Sequence, residues 1–584
     1  MLPTVEENSE ESDRFEYDFA KLQNDLIVRH STDPKELPWL SMSREQPDQF
    51  WKALFTAFDG RSAVSKKSDY KSHVDFYHDL IVRNLGEGLV AYSEYNQATG
   101  AWSGISFDEL HARSSALAAE WTRRDVEPEQ TVAILLPVNT GYLVSLLTAF
   151  RLGLVVSVIS PDGKDFVRKR LEILEPDFYV CESRVARDLS DLEIPVLPSF
   201  AEPSRKADRL LRSHSYEWDS VCAKLFSLWG PERMEPVELT GGELFSSLLT
   251  DALLVLNLRP KERMMAPGYD QQQHMPVFPM QTLLAGACWL EITSSQLSGR
   301  LELLKEAAPH VVGVLPALRD SLLDIAKANL PECRVWFRDP LLPFDWNSWD
   351  DFSKHVENPG TTTMNLAVNS AAGGSILFSR RYEANCGLAA LPKPGLSWTL
   401  LDVNQSGQPA QGTTGIYAID GLADCEFKYG TCVVSHADHG FMVTGSALPT
   451  LFGQTYPEKE IAELVISHPR VKHATFLTQS LSTNLNTSRA NLLIFIEPRS
   501  LPDLPQFEAR LRSDIMGNIL LGYGQRFLPA RVELFALAPR RTDEGDIDEM
   551  WIKDQYLSGF LEQKREIPIF NLIGQLHSIA QNPK

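Results

Sequence analysis

The sequence is poor in cysteine and has no pairing pattern among the cysteines it has. Seven occur in 584 residues, at 181, 222, 288, 333, 386, 425 and 432, and no two form a Cys-x-x-Cys pair. An odd, scattered set excludes a disulfide framework and a zinc ribbon as organising devices and points to reduced thiols in a core. Long apolar runs are missing as well: none approaches the roughly 18–20 residues that a membrane-spanning helix requires. The opening stretch MLPTVEENSEESDRFEYDF is acidic where a secretion signal is basic and then apolar, so a cytoplasmic location is expected. Basic excess is lacking too. With 56 Lys+Arg against 77 Asp+Glu, the net charge of -21 repels phosphate backbones and anionic headgroups, which excludes nucleic acid and membrane surfaces as natural partners. There is no internal repeat and no low-complexity segment.

What is present is a long alternation of elements. A single hydrophobic core stops growing at roughly 250–300 residues, so a chain of this length divides into domains. Residues 1–70 read as a charged, proline-punctuated extension with one helix at DQFWKALFTAF, where Phe50, Leu54, Phe55 and Phe58 recur at helical spacing. Residues 71–445 read as a large α/β domain. GLVAYSEYNQATGAWSGISF gives two strands about a polar turn, and SFDEL opens a helix with Ser106 as cap and Glu109 closing a capping box. TVAILLPVN, LVVSVIS and DFYVCES are then continuous apolar strands between helices, the pattern of a parallel sheet covered on both faces. From about 387 the signal changes to short strands with Gly and Pro turns, a small antiparallel sheet or barrel. Residues 446–550 read as a compact α+β domain and 551–584 as a helical tail.

This order of elements resembles the adenylate-forming superfamily of acyl-CoA synthetases, peptide-synthetase adenylation domains and luciferases. The resemblance rests on GISFDELHARSSALAAEW, VAILLPVNTGYLVSLLTAFRLGLVVSVIS, LPKPGLSWTLLDVNQSGQPAQGTTGIY, EKEIAELVISHPRVKHATFL and LPARVELFALAPRRTDEGDI, and covers roughly residues 70–550. It implies a large N-terminal domain with a small antiparallel β subdomain and a smaller C-terminal α+β domain. It further implies joining of a carboxylate to ATP with magnesium, followed by transfer of the acyl group to CoA or a carrier-protein phosphopantetheine. That chemistry needs cations and backbone N–H groups around the phosphates, where negative charge builds.

Those groups are replaced here. The family's phosphate loop, T-S-G-[ST]-T-G-x-P-K-G-V, lays without a gap onto Ser227–Val237, with Trp229, Glu232 and Pro236 at its glycine positions and Glu235 at its lysine position. Bulk, like charge and a missing donor each work against an anion. The family's magnesium-binding Glu maps to Ala371, with Ala367 at its Tyr position, or one residue on at Ala372. The segment HADHGFMVTGSALPTLFGQ keeps a turn at Asp438–Gly440 but has no clear counterpart of the ribose-binding and hinge carboxylates. In TDEGDI, Thr542–Ile547, Asp546 stands at the position of the lysine that bridges carboxylate and phosphate, and Glu549 stands where a basic residue is usual.

The resemblance therefore implies a degenerate member that does not adenylate and needs no cofactor. Such a protein binds an acyl, aryl or pantetheine-linked ligand, or regulates a partner protein. Two alternatives stay open: an active CoA or carrier-protein ligase that uses ATP and Mg through atypical residues, and an ATP-independent acyltransferase or hydrolase built on the acyl pocket. Pocket-lining candidates are Tyr269, His274, Met275, Val312, Leu315, Ala367, Ala371 and Gly373, from segments that match the family's acyl-binding ones and stay largely apolar or small. No metal site is expected. HADHGF, with His436, Asp438 and His439, reads as a solvated turn, GGSILFS as a tight turn before a strand, and SHSYEWDS as a polar loop rather than a catalytic triad.

Overall fold

Continuous apolar strands such as Thr131–Leu135, Val155–Val158 and Phe178–Cys181 have no polar face to give to water, so each must be covered on both sides. In the computed structural model they form the centre of a six-stranded sheet. Its order is Pro236–Thr240, Val221–Phe226, Val155–Val158, Thr131–Leu135, Phe178–Cys181 and Val196–Leu197, parallel except for the hairpin at its first edge. The structure describes residues 42–59 apart from 44, 72–202, 213–226, 236–315 apart from 270, 298, 299 and 301, then 318, 322, 330, 332–339, 346–356, 361–380, 389–402 apart from 397, 410, 412, 414–419, 432–437, 440–446, 450, 451, 454–480, 488–496 and 504–561. No helix among the described residues is long and apolar enough to cross a membrane.

The chain divides into two compact units, Met1–Pro161 with Arg170–Leu448, and Asp162–Lys169 with Pro449–Lys584. In the first unit a second sheet begins with the hairpin Val90–Asn96 and Ala101–Ser106. It continues in parallel through Cys288–Glu291, Arg263–Met265, Val311–Gly313, Val335–Arg338 and Thr362–Asn369. Gly374–Arg380 then reverses the direction, and the short strands after residue 388 hydrogen-bond onward from it through Ala389–Pro392. The small antiparallel region is thus an extension of this sheet.

Local signals set the helices between these strands. Ser106 accepts from the Glu109 amide and Glu109 closes the box, which starts the helix Phe107–Thr122. Gly153, at φ +80°, ends the helix Thr140–Leu152 in the left-handed region. Leu110, Leu117 and Trp121 from the first and Leu146, Leu147 and Phe150 from the second share one core cluster. The N-terminal helix Pro47–Asp59 joins the same cluster through Phe50, Leu54, Phe55 and Phe58, and the Phe58 ring meets Phe245 edge-on at 5.8 Å. Residues 47–59 are therefore part of this unit's core.

Three consecutive glutamines join the two sheets. Gln271 Nε2 donates to the Leu136 carbonyl at 2.7 Å. Gln272 Nε2 donates to the carbonyls of Val158 and Phe226 at 3.1 and 3.3 Å, while its Oε1 accepts from the Ser160 amide at 3.1 Å. Gln273 Nε2 reaches the other way, to the Val368 carbonyl at 3.3 Å and Asp339 Oδ2 at 3.4 Å. The Ser370 hydroxyl closes the junction on the Gln272 carbonyl at 2.9 Å.

The second sheet also sets two acids side by side: Glu291 and Glu94 are register partners on adjacent parallel strands. Burial pushes the Glu291 carboxyl up to about 7; the Trp289 hydrogen bond opposes the rise and Glu94 adds to it.

The second unit pairs Val471–Ser480 with Ser488–Ile496, adds Arg531–Phe535 in parallel, and packs Leu477, Leu493, Phe495, Phe535, Ile552 and Leu561 into one cluster. Within it Phe166 stacks on Phe527 at 5.7 Å, and Asp162 pairs with Arg526 at 2.6 Å.

Two stability predictions follow from these contacts. Replacing Gln272→Leu leaves the Ser160 amide and the two carbonyls without this partner, at about 1–3 kcal/mol for each buried group left unsatisfied. A urea melt is expected to show a lower midpoint with unchanged slope, whereas Gln271→Leu, which removes one bond, shifts it less. The pH dependence of Glu291 has the sign of a raised carboxyl: the folded state holds its proton where the unfolded chain has lost it. Stability therefore falls as pH rises from about 4.5 towards 7 and levels off above, and a Glu291→Gln variant has a flatter melting-temperature profile across that window.

Candidate functional site

The site expected from the sequence lies in the first unit, where the turn after the strand Arg263–Met265 meets the ends of two neighbouring strands. Gly268 takes φ +77°, and a side chain there would strike Leu315 and Ser294. The turn delivers Tyr269 and the short helix Gln271–His274. The Tyr269 ring lies 4.8 Å from His274, 5.5 Å from Phe337 and 5.8 Å from Phe278, while His274 stacks on Phe278 at 5.5 Å. Gly313 closes the other side: a Cβ there would lie 2.8 Å from both Phe337 Cζ and Tyr269 Cε2. These rings lie against one another in the segment that the sequence reading assigns to a ligand.

Some polar groups near the rings pair off, while the buried Tyr269 hydroxyl has no hydrogen-bond partner. His274 Nε2 lies 3.5 Å from the buried Asp339 carboxylate. Arg338 donates to Asn365 Oδ1 at 2.6 Å and sits over the Trp349 ring at 5.3 Å. Burial pushes the Arg338 guanidinium down to about 9, against the pull of Asp339 and Tyr269. Burial likewise raises the Tyr269 phenol well above its ordinary range, with Asp339 adding to the rise and neighbouring backbone amides opposing it.

The other pocket candidates do not converge on this point. Met275 and Ala371 share the Tyr269 cluster, and Leu315 packs against it. Strand alternation sends Val312 to the opposite face, into a cluster with Met265, Leu290 and Trp336. Ala367 joins a third cluster with Ile376, Leu377, Val434 and Phe441. Gly373, at φ +71°, ends a short turn opposite Ser247.

Next to Gly373 is an ion pair that the sequence reading did not find. A Cβ on Gly374 would strike the Asp251 carboxylate, with Lys393 Nζ 3.0 Å away. Lys393 pairs with Asp251 at 3.0 Å and donates to the Ser247 carbonyl at 2.8 Å and hydroxyl at 2.5 Å. Asp251 also accepts from the Ser375 amide at 2.7 Å and from the Ser375 hydroxyl. Burial lowers the Lys393 ammonium from its ordinary value, and Asp251 opposes this. The available signal was a lone acid inside the apolar run SSLLTDALLVLNL, since a carboxylate sunk among leucines requires a partner.

Of the phosphate-loop positions, Ser227, Trp229, Glu232 and Glu235 lie outside the described residues. Pro236 opens the strand Pro236–Thr240 as register partner of Phe226. Ala371 is 3 % exposed, and its amide donates to Asn369 Oδ1 at 2.9 Å. Asp438 and His439 also lie outside the described residues. The Ser213–Asp219 stretch forms no triad: Ser213 bonds to Asp75 at 2.5 Å, and the His214 ring packs under Gly153.

In the second unit Asp546 is exposed in a tight turn, where the Thr542 amide donates to the Asp546 carbonyl at 2.7 Å and Gly545 takes φ +96°. Glu549 pairs with His473 at 2.8 Å.

Replacing Lys393→Met leaves Asp251 buried without its cation, which costs about 3–5 kcal/mol when one partner of a buried pair is removed. Chemical denaturation is expected to show that loss, and a double Lys393→Met, Asp251→Leu variant to recover most of it.

No protein-family model matches the chain, and no curated protein matches it. Solved structures do. A double mutant of o-succinylbenzoate CoA synthetase (MenE) from Bacillus subtilis, bound with its product analogue OSB-NCoA, is similar with TM-score 0.66 and 13% identity over 83% of this chain and 99% of that one. The amide bond synthetase McbA from Marinactinospora thermotolerans gives 0.66 and 15% over 83% of this chain and 100% of that one. An ATP-bound RpMatB-BxBclM chimera gives 0.53 and 16% over 82% and 98%. At these identities the likeness is one of fold alone.

Proposed function

The chain has the fold of the adenylate-forming enzymes, and on that fold we propose a protein that does not adenylate and acts by binding, most directly by regulating a partner protein. The observation that carries this reading is Ala371. At the position of the family's magnesium-binding carboxylate it presents a methyl group sunk in an apolar cluster. The neighbouring Asp251 is committed to Lys393 and Ser375. In the C-terminal unit an exposed carboxylate, Asp546, replaces the bridging lysine. These residues do not fit Mg-ATP, because each offers phosphate either no charge or the wrong one. Reversing a unit charge about 4 Å from phosphate is worth several kcal/mol at an effective dielectric near 20.

Binding of a partner is favoured over binding of an acyl or aryl group by the close packing of Tyr269 and Phe337 against Gly313, where not even a Cβ has room. Small-molecule binding draws on the neighbours instead, one of which holds a CoA product analogue and another ATP. Those neighbours, all named as synthetases or bound to ATP, also favour the active-ligase alternative.

Calorimetric titration with millimolar Mg-ATP is expected to show no binding, and a pyrophosphate-exchange assay over aliphatic and aromatic acids to show no turnover above a protein-free blank. Lysine restored at both positions, Glu235→Lys and Asp546→Lys, is expected to remain inactive, because Trp229, Glu232 and Pro236 still deny backbone donors to the phosphates. Saturable micromolar binding or exchange would promote the ligase reading.

A further inference from the structure

His310 immediately precedes the strand Val311–Gly313, whose last residue meets Tyr269 and Phe337, and the proposed function gives it no role. Backbone bonds hold it to both neighbouring strands: its amide donates to the Arg263 carbonyl at 2.8 Å, and its carbonyl accepts from the Arg334 and Val335 amides at 2.9 and 3.1 Å. The ring adds one more bond, in which Nδ1 accepts from the Arg263 amide at 3.2 Å. Accepting requires a bare nitrogen, so the imidazole proton sits on Nε2 and the ring is neutral.

The charges around the ring are paired without it. Glu262 and Arg263 face it from the start of one neighbouring strand, and Glu332 and Arg334 from the approach to the other. Arg334 holds Glu262 through two bonds, 2.6 Å to Oε1 and 2.5 Å to Oε2, and Arg263 holds Glu332 Oε2 at 2.5 Å. Glu332 Oε2 stands 3.9 Å from His310 Nε2, beyond a hydrogen bond. A proton on Nδ1 therefore meets the Arg263 N–H, and the new cation lies among two arginines whose carboxylates are already engaged. Burial lowers the ring from its ordinary value; Arg263 and Arg334 add to this, and Glu262 and Glu332 oppose it. The side chain is 23 % exposed, so a proton can reach it.

We propose that His310 is an acid-sensitive catch on the second sheet. Neutral, it holds the Arg263 amide and closes this end of the strands Arg263–Met265, Val311–Gly313 and Val335–Arg338. Protonated, it releases that amide and loosens the same end, including the strand that runs to Gly313. The folded state takes this proton less readily than the unfolded chain, so the loss begins as pH falls through the ordinary histidine value of about 6.5 and levels off below the lowered one.

Hydrogen exchange on the full chain, corrected for the intrinsic rate at each pH, tests the catch. Between pH 7.5 and 5.5 peptides covering the starts of these three strands are expected to lose protection about tenfold, while those from the six-stranded sheet keep theirs. His310→Asn, whose Oδ1 can accept where Nδ1 does and does not titrate, is expected to hold its protection across the range. Glu332→Gln, which removes the carboxylate nearest Nε2, is expected to move the loss to lower pH. A ¹⁵N-histidine spectrum of the wild type reads the ring directly and is expected to show it neutral, with the proton on Nε2, at pH 7.5 and to change together with the protection. Protection that stays constant in the wild type, falls equally in His310→Asn, or falls equally in both sheets would overturn the proposal, as would a ring carrying its proton on Nδ1 at pH 7.5.

Discussion

The junction made by Gln271, Gln272 and Gln273 is the constraint on which the large unit depends. Two sheets bury their facing surfaces against the same helices, but apolar packing sets no register between them. Amide side chains do, because each buried N–H and C=O must meet its partner at a fixed distance. Gln271 and Gln272 hold backbone of the six-stranded sheet, and Gln273 holds backbone of the longer one. The same turn carries Tyr269 and His274, so the glutamines also help to position the rings in the candidate site.

Several polar groups around the site pair with one another: His274 faces Asp339, Arg338 binds Asn365, and Lys393 binds Asp251, while the buried Tyr269 hydroxyl has no hydrogen-bond partner. A catalytic cleft keeps some of its polar groups unsatisfied so that substrate can complete them. Here the Tyr269 hydroxyl is such a group, whereas Ala371 offers a buried methyl.

Much of the fold was legible in the sequence because its signals are local. Apolar strands of four or five residues, the Ser106–Glu109 box and Gly153 each act over a few residues, and each took the predicted form. The site was less legible. Val312 and Ala367 sit one position out of phase with the residues they were grouped with, and in a strand one position means the opposite face. The pairs Asp251–Lys393 and Glu94–Glu291 join residues far apart in the chain, so only the closed sheet brings them together. The antiparallel strands after residue 388 had the right type, but sequence alone gives no sign of the sheet they extend.

The claim at the centre of this account is that no acyl-adenylate forms. Transfer of an oxygen atom tests it without reference to affinity, because adenylation moves one carboxylate oxygen into AMP. The protein is incubated with ATP, magnesium, a thiol acceptor and a set of ¹⁸O-labelled carboxylic acids, and the AMP is examined by mass spectrometry. The account predicts that any AMP carries no label above the protein-free control; AMP carrying one ¹⁸O would contradict it.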